Sequence, residues 1–388
     1  MLSHASSPLP VTDRPPPGVE RRRASCELPA ARASWVEIDG GAIRHNLRLI
    51  RRLAGTARVY AVCKGDAYGF DAATVACIAA DERIDALACG DPDDARAIRA
   101  AGVTLPILLY GVTDARDLPA LAPLDVAVTA HDVATLEVCL AHDLAFSVKL
   151  DVGFNRLGFR EHDLAPVLAA AARHPRARVR SLYTHLFDND QPDSVAAQMA
   201  RFEAMVTRIE AAGWRGCERM VASSRILIGS PQLALDAVNP GRLVYGLLEP
   251  PWNERVDARS ALAAVKAHVI ALKRIAAGSA AGYSAEVLER DTVIGVIPFG
   301  FADGYPRFPA GGTVLVRGRR APLVGPRHTE HALVDVTDVP DVALGDEVVL
   351  LGTQGPDAIT LHEIVAATGV PLIELVPRLA RNPRRRVL

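Results

Sequence analysis

The sequence predicts an α/β fold: a TIM-like (β/α)8 barrel followed by a separate, mostly-β C-terminal domain. Eight short apolar runs fall within about 190 residues and alternate with stretches of helical period, as expected for a parallel sheet wound with helices. No G-x-G-x-x-G follows the first of these runs, which weighs against the alternative, a doubly wound sheet. Beyond about Pro251 the texture changes to β-rich segments separated by Gly-Gly, Asp-Gly and Gly-Asp turns. A length of 388 residues suits two such domains.

Residues 1–33 are rich in Pro, Ser, Ala and Arg, include the Arg21–Arg23 run and show no apolar period; a disordered tail is expected. They lack the apolar stretch of ~7 to 15 residues that a secretory signal needs. Residues 34–258 are assigned to the barrel. Within them S-W-V-E-I-D reads as a strand, and Ala42 to Leu53 as an amphipathic helix with Ile43, Leu47, Ile50 and Leu53 on one face. The apolar runs are Val59–Cys63, Ile84–Cys89, Pro106–Tyr110, Val126–Thr129, Phe146–Leu150, Val179–Tyr183, Met220–Ser223 and Leu243–Leu247. Helical segments such as Asp91–Ala101 and Gln198–Ala212 lie between them. Residues 259–388 form the second domain, with strands expected at Val265–Leu272, Thr292–Pro298, Thr313–Val316, Ala332–Val336 and Glu347–Leu351. Thr360 caps a short helix to Thr368, with Glu363 three residues on. The Arg384–Arg386 run reads as a solvated end.

Composition narrows the function classes. Hydrophobic residues make up 49% and charged residues 23%, the balance of a globular chain with a real core. A formal net charge of −1 gives no global field for nucleic acid or an anionic membrane. No window approaches the ~18 to 20 apolar residues of a membrane helix. The six cysteines are scattered without a C-x-x-C pair, so neither a disulfide scaffold nor a metal site is expected, and a cytoplasmic location fits. Only four lysines stand against forty arginines: Lys64, Lys149, Lys266 and Lys273. A lysine kept on that background is a candidate for amine chemistry, because a guanidinium does not deprotonate usefully whereas a buried ammonium can.

Lys64 ends the first barrel run in A-V-C-K-G-D-A-Y-G-F. The active sites of such barrels gather at the carboxyl ends of the strands, so this amine is placed for Schiff-base chemistry; a salt-bridging barrel lysine is the structural alternative. Lys149 lies in F-S-V-K-L-D-V-G-F-N-R-L-G-F, where strand alternation puts it on one face with Ser147 and Asp151, and Arg156 follows on the loop. An internal Lys149–Asp151 ion pair is the plain reading of that pattern. His185 ends the sixth run, with Asp188 and Asp190 at a spacing that is weak for a metal. His328 and His331 in R-H-T-E-H lack an evident third ligand. Ser223 and Ser224 follow the seventh run, and Asn239-Pro240-Gly241 precedes the eighth, where hydroxyls and glycine amides commonly cradle phosphate.

A-V-C-K-G-D-A-Y-G resembles the pyridoxal-phosphate lysine motif of the alanine racemases, the fold type III enzymes. V-K-L-D-V-G-F-N-R-L-G, Y-T-H-L-F-D-N-D, V-N-P-G-R-L-V-Y-G, G-Y-S-A-E and I-P-F-G-F-A-D-G-Y resemble further motifs of that family, in the same order from about residue 35 to 384. The resemblance implies that Lys64 holds pyridoxal 5'-phosphate through its amine and serves as one acid/base. Tyr283 would be the acid/base on the opposite face, reaching in from the partner of a homodimer. Tyr68, Ser224 and the amides of Gly241 and Arg242 would bind the phosphate, and Arg156 the phenolic oxygen. His185 would lie against the ring and polarise Tyr283. Lys149 matches a lysine often carbamylated in the family.

Three departures stand out. Asn239 occupies the place of an arginine at the pyridine nitrogen, and Arg242 lies three residues later. Phe301 replaces the tyrosine of G-Y-A-D-G, and His328-Thr329-Glu330 replaces the C-M-D segment whose backbone receives the substrate carboxylate, making Thr329 the substrate-binding candidate beside Arg156. The expected activity is amino-acid racemisation of alanine or a related, larger or more polar amino acid. Decarboxylation or aldol-type cleavage at the α-carbon is the alternative.

Overall fold

The computed structural model describes residues 33–388 except 112, 188–189, 284–286, 308, 310 and 383–384, so the expected tail lies, apart from Ala33, outside the described residues. β1 (Ser34–Ile38) is followed by a closed parallel barrel. Its strands are β2 (Arg58–Val62), β3 (Ala86–Cys89), β4 (Ile107–Leu109), β5 (Val126–Ala130), β6 (Phe146–Lys149), β7 (Val179–Tyr183), β8 (Glu218–Ala222) and β9 (Ala237–Val238). Alternation along each strand sorts the side chains. Tyr60, Val62, Ala86, Ala88, Leu108, Tyr183 and Met220 fill the interior, small alanines facing large rings, while Val59, Ala61, Leu87 and Leu109 join the outer core. Helices start where the sequence caps them: the Asp39 carboxylate accepts from Ala42 N at 2.8 Å and opens Gly40–Ala54, which buries Ile43, Leu47 and Ile50. The helix expected at Gln198–Ala212 begins earlier, at Pro192, because proline is well suited to a first helical turn.

The eighth barrel strand is a correction. Leu243–Leu247 is no strand; Arg242–Tyr245 is a 3-10 turn closed by Gly246, and the strand is the two-residue β9. Gly246 has φ +68°, and a Cβ there would stand 2.0 Å from the Arg259 carbonyl oxygen. Gly246→Ala is therefore expected to destabilise the fold by about 3 kcal/mol, read as a lowered thermal midpoint. An unchanged midpoint would show that the crossing relaxes freely. Beside it the wholly buried Asn46 donates to Val244 O and Arg259 O and accepts from Arg259 N, tying the first helix to the chain as it leaves the barrel.

The second sheet comprises β10 (Leu262–His268), β11 (Ala271–Ile275), β12 (Thr292–Ile297), β13 (Thr313–Val316), β14 (Arg319–Val324), β15 (Ala332–Asp335), β16 (Glu347–Gln354), β17 (Asp357–Ile359) and β18 (Arg385–Val387). It also takes in β1, expected with the barrel, which pairs antiparallel with β10 and parallel with β18. The run expected as one strand at Val265–Leu272 is two, turned at Val269–Ile270, where Val269 is fixed by Asp346 O and Gly345 N. The arginine run expected as a loose end is in part a strand, with Leu388 N donating to Ile38 O. The helix capped by Thr360 is present, and a further helix, Leu372–Ala380, follows it. No helix among the described residues is long and apolar enough to cross a membrane.

Candidate active site

At the carboxyl ends of the barrel strands lies a cavity of about 600 Å³. Lys64 enters it at the end of β2. The chain does not leave that strand in an ordinary helix: Gly65, Asp66, Ala67 and Tyr68 all take left-handed φ values between 53° and 66°. A left-handed turn costs L-residues roughly 1–2 kcal/mol each, so neighbours must hold it. Asp66 N donates to the Asp94 carboxylate, the Asp66 carboxylate accepts from Ala72 N, Asp71 N donates to Asp66 O, and Arg381 reaches Gly65 O. Gly69 ends the turn under the last helix, where a Cβ would meet Pro377 O at 2.6 Å. The result is that Lys64 and Tyr68, four residues apart, both face the cavity.

One end of the cavity is built for an anion. Ser224 Oγ accepts from the amides of Gly241 and Leu243, each at 3.1 Å, which leaves its own proton to donate. The Tyr68 hydroxyl lies against Gly241, where a Cβ would come within 2.6 Å of it; only glycine admits the phenol. Burial pushes the Tyr68 phenol up to about 12, so it too is a donor. Arg242 also lines the cavity, its guanidinium 3.7 Å from Glu249.

Cations gather in the same cavity. Burial, then Arg156 and Arg242, lower the pKa of Lys64. Burial and Arg156 bring Lys149 down to about 7; its ammonium sits 4.5 Å from the centre of the Tyr183 ring. Lys149 forms no simple pair with Asp151, whose carboxylate instead accepts from Gly153 N and Asn155 N and shapes the loop that carries Arg156. Arg156 lies over Phe154, whose ring meets His185 edge-on. Burial and the three nearby cations lower His185 to about 3, so its imidazole is neutral.

On the floor, Asn239 Nδ2 donates to the Tyr110 hydroxyl at 3.2 Å, while its Oδ1 is buried without a partner. Thr184 Oγ1, beside His185, is likewise orphaned. Tyr110, Thr184 and Ile373 are cavity residues that the sequence reading missed. Tyr110 and Thr184 each stand just past a barrel strand, a position that could have flagged them; Ile373 comes from the last helix and carries no local signal.

Lys64, Tyr68, Lys149, Arg156, His185, Ser224, Asn239, Gly241 and Arg242 thus share one cavity. Tyr283 and Thr329 do not line it. Tyr283 is 72% exposed on the second domain, its ring edge-on to His328, and Thr329 is exposed with its carbonyl accepting from Ala302 N. Asp188, named with His185, falls outside the described residues, and among those described no group of three His, Cys, Asp or Glu side chains is placed to hold a metal.

Two family descriptions match the chain: "Alanine racemase, N-terminal domain" over residues 38–249 and "Alanine racemase, C-terminal domain" over 262–387. An alanine racemase of Thioalkalivibrio sulfidiphilus is 37% identical over 358 residues, covering 89% of this chain and 96% of its own. The alanine racemase of Bacillus anthracis, solved with bound L-Ala-P, superposes with a TM-score of 0.84 at 28% identity, covering 93% of this chain and 96% of that one. The enzyme from D-cycloserine-producing Streptomyces lavendulae gives 0.83 at 27% identity, with 93% and 98% covered. With both halves matched in order, and a barrel and antiparallel sheet arranged as in these structures, the chain belongs to the alanine racemase family of racemase enzymes.

Proposed function

We propose that the protein is a pyridoxal-phosphate-dependent amino-acid racemase that interconverts L- and D-alanine, or a related small amino acid, in a homodimer whose sites are each completed by the partner subunit's Tyr283. The observation that carries this reading is a lysine of lowered pKa, on a strand end, sharing a cavity with a cradle of anion donors. The cavity suits the cofactor. Five lysine and arginine side chains line it without a carboxylate among the lining residues, and two polar side-chain oxygens on its walls, Asn239 Oδ1 and Thr184 Oγ1, lack partners within the protein.

Tyr68, Ser224 and the Arg242 amide would hold the phosphate, and Lys64 the aldehyde. Bound at an amine, pyridoxal phosphate supplies an electron sink that makes the proton on a substrate's α-carbon removable. The protein's part is to move that proton. Lys64 Nζ, whose pKa is lowered by burial and by Arg156 and Arg242, would take or return it on one face. The partner subunit's Tyr283 hydroxyl does so on the other, so each base serves one enantiomer. Neutral His185 offers one donor and one acceptor nitrogen, which suits holding a tyrosine hydroxyl rather than exchanging protons with it. Arg156 would bind the phenolic oxygen and draw the substrate carboxylate.

Lys149 is proposed as a carbamate. An amine with a pKa of about 7 is half neutral near pH 7 and can take up carbon dioxide, turning a cation that repels Arg156 into an anion that holds it. Asn239 motivates a second reading, decarboxylation or aldol-type cleavage at the α-carbon. Its amide is neutral and its oxygen is free, so the ring nitrogen would meet an acceptor rather than a fixed cation.

The deciding experiment is a panel of amino acids incubated with the reconstituted protein in deuterated water, read by mass and by chiral chromatography. Deuterium at Cα with inversion is expected for alanine or a close relative. Release of carbon dioxide or aldehyde without inversion would transfer the assignment to the second reading.

A further inference from the structure

Tyr283 projects from the second domain with little chain around it, yet an acid/base must hold its hydroxyl to within a fraction of an ångström. The described contact that addresses this is His328. The two rings meet edge to face, with centroids 4.7 Å apart and planes at 65°. Such a pair fixes a ring plane beyond what burial alone does.

His328 is itself held from both sides. Its amide donates to His331 O at 2.8 Å, and its carbonyl accepts from Phe301 N at 3.0 Å. The imidazole lies beneath the backbone that carries Tyr283. A Cβ on Gly282, where φ is +61°, would come within 2.7 Å of His328 Nε2 and 3.0 Å of Leu333 Cδ1. The glycine before Tyr283 is therefore what lets the ring slide under the loop. His328 Nε2 is buried and has no hydrogen-bond partner.

We infer that His328 is a positioning residue for Tyr283: it sets the plane of the phenol ring, and so the direction of its hydroxyl, from below the Gly282 turn. The inference rests on the reading of Tyr283 as the second acid/base. His328 acts as a neutral ring, since burial, His331 and Arg307 all lower its pKa, and no proton transfer is assigned to it.

The test follows exchange of Cα–H for deuterium from each enantiomer of alanine separately, in the reconstituted holoenzyme. Tyr283→Phe first identifies the enantiomer whose proton Tyr283 removes. His328→Ala is expected to slow exchange from that enantiomer about ten-fold or more, while leaving the other within about two-fold, because only one of the two bases has lost its support. His328→Phe keeps an aromatic edge against Tyr283 and is expected to recover most of the loss. It also carries the test if the alanine variant does not fold. Equal slowing from both enantiomers, no slowing from either, or a phenylalanine variant as impaired as the alanine one would overturn the inference. If Tyr283→Phe itself slows neither enantiomer, the proposed function fails instead, so the two failures are told apart.

Discussion

Lys64→Ala is expected to abolish racemisation, by about four orders of magnitude or more, because one substitution removes both the anchor of the cofactor and one of the two bases. Chiral chromatography reads the activity, and the visible absorbance of the reconstituted protein reads the anchor. Lys64→Arg separates charge from chemistry. It keeps a cation in the cavity but offers no neutral amine, so it should be as inactive as alanine. The setting makes neutrality accessible, since burial first, then Arg156 and Arg242, hold the amine below the ordinary lysine range. The sign follows directly: a lowered pKa moves the appearance of free amine to lower pH, so capture of the aldehyde by the apoprotein should rise with pH earlier than for free lysine. Borohydride reduction should leave the label on residue 64. A variant without this lysine that stayed coloured after dialysis and still racemised would end the assignment.

The second large effect is expected at Tyr283. Tyr283→Phe should lose about two to four orders of magnitude in racemisation while one enantiomer still exchanges its Cα proton with retention. The decisive form of the test is complementation. Because Tyr283 lies away from its own chain's cavity, each site should draw its two bases from different subunits. Mixing Lys64→Ala with Tyr283→Phe subunits then creates hybrid dimers with one intact and one doubly damaged site. Random reassociation should restore about a quarter of the wild-type activity. If both bases came from one chain, every site in the mixture would lack one of them, and activity would stay at background.

Much of this arrangement was legible before any coordinates. Lys64, Tyr68 and the serine and glycine after the later strands were readable because barrel chemistry collects at strand ends, and the run endings mark those ends. The scarcity of lysine marked four candidates, of which Lys64 and Lys149 share the cavity, while Lys266 pairs with Glu37 and Glu347. The misreadings have physical causes. Leu243, Val244, Tyr245 and Leu247 are buried as fully as any strand, but burial without alternation does not distinguish a strand from a tight turn. The true eighth strand, Ala237–Val238, is too short to show a period at all. Lys149 and Asp151 share a face as alternation requires, yet face-sharing does not decide partners, and the loop amides won the carboxylate. Ile373 could not have been found locally. It reaches the cavity only because the last helix folds back over the barrel mouth.

That return has a consequence for the amine itself. The turn after Lys64 is unfavourable on its own, and part of what keeps it comes from the far end of the polypeptide: Pro377 seated against Gly69, and Arg381 on Gly65 O across a separation of 316 residues. The final helix is clamped again at Gly304, where a Cβ would meet Arg378 O at 2.4 Å. Reactivity at position 64 is thus hinged in part to the hindmost helix, and unlatching that helix would loosen the turn that aims the nucleophile.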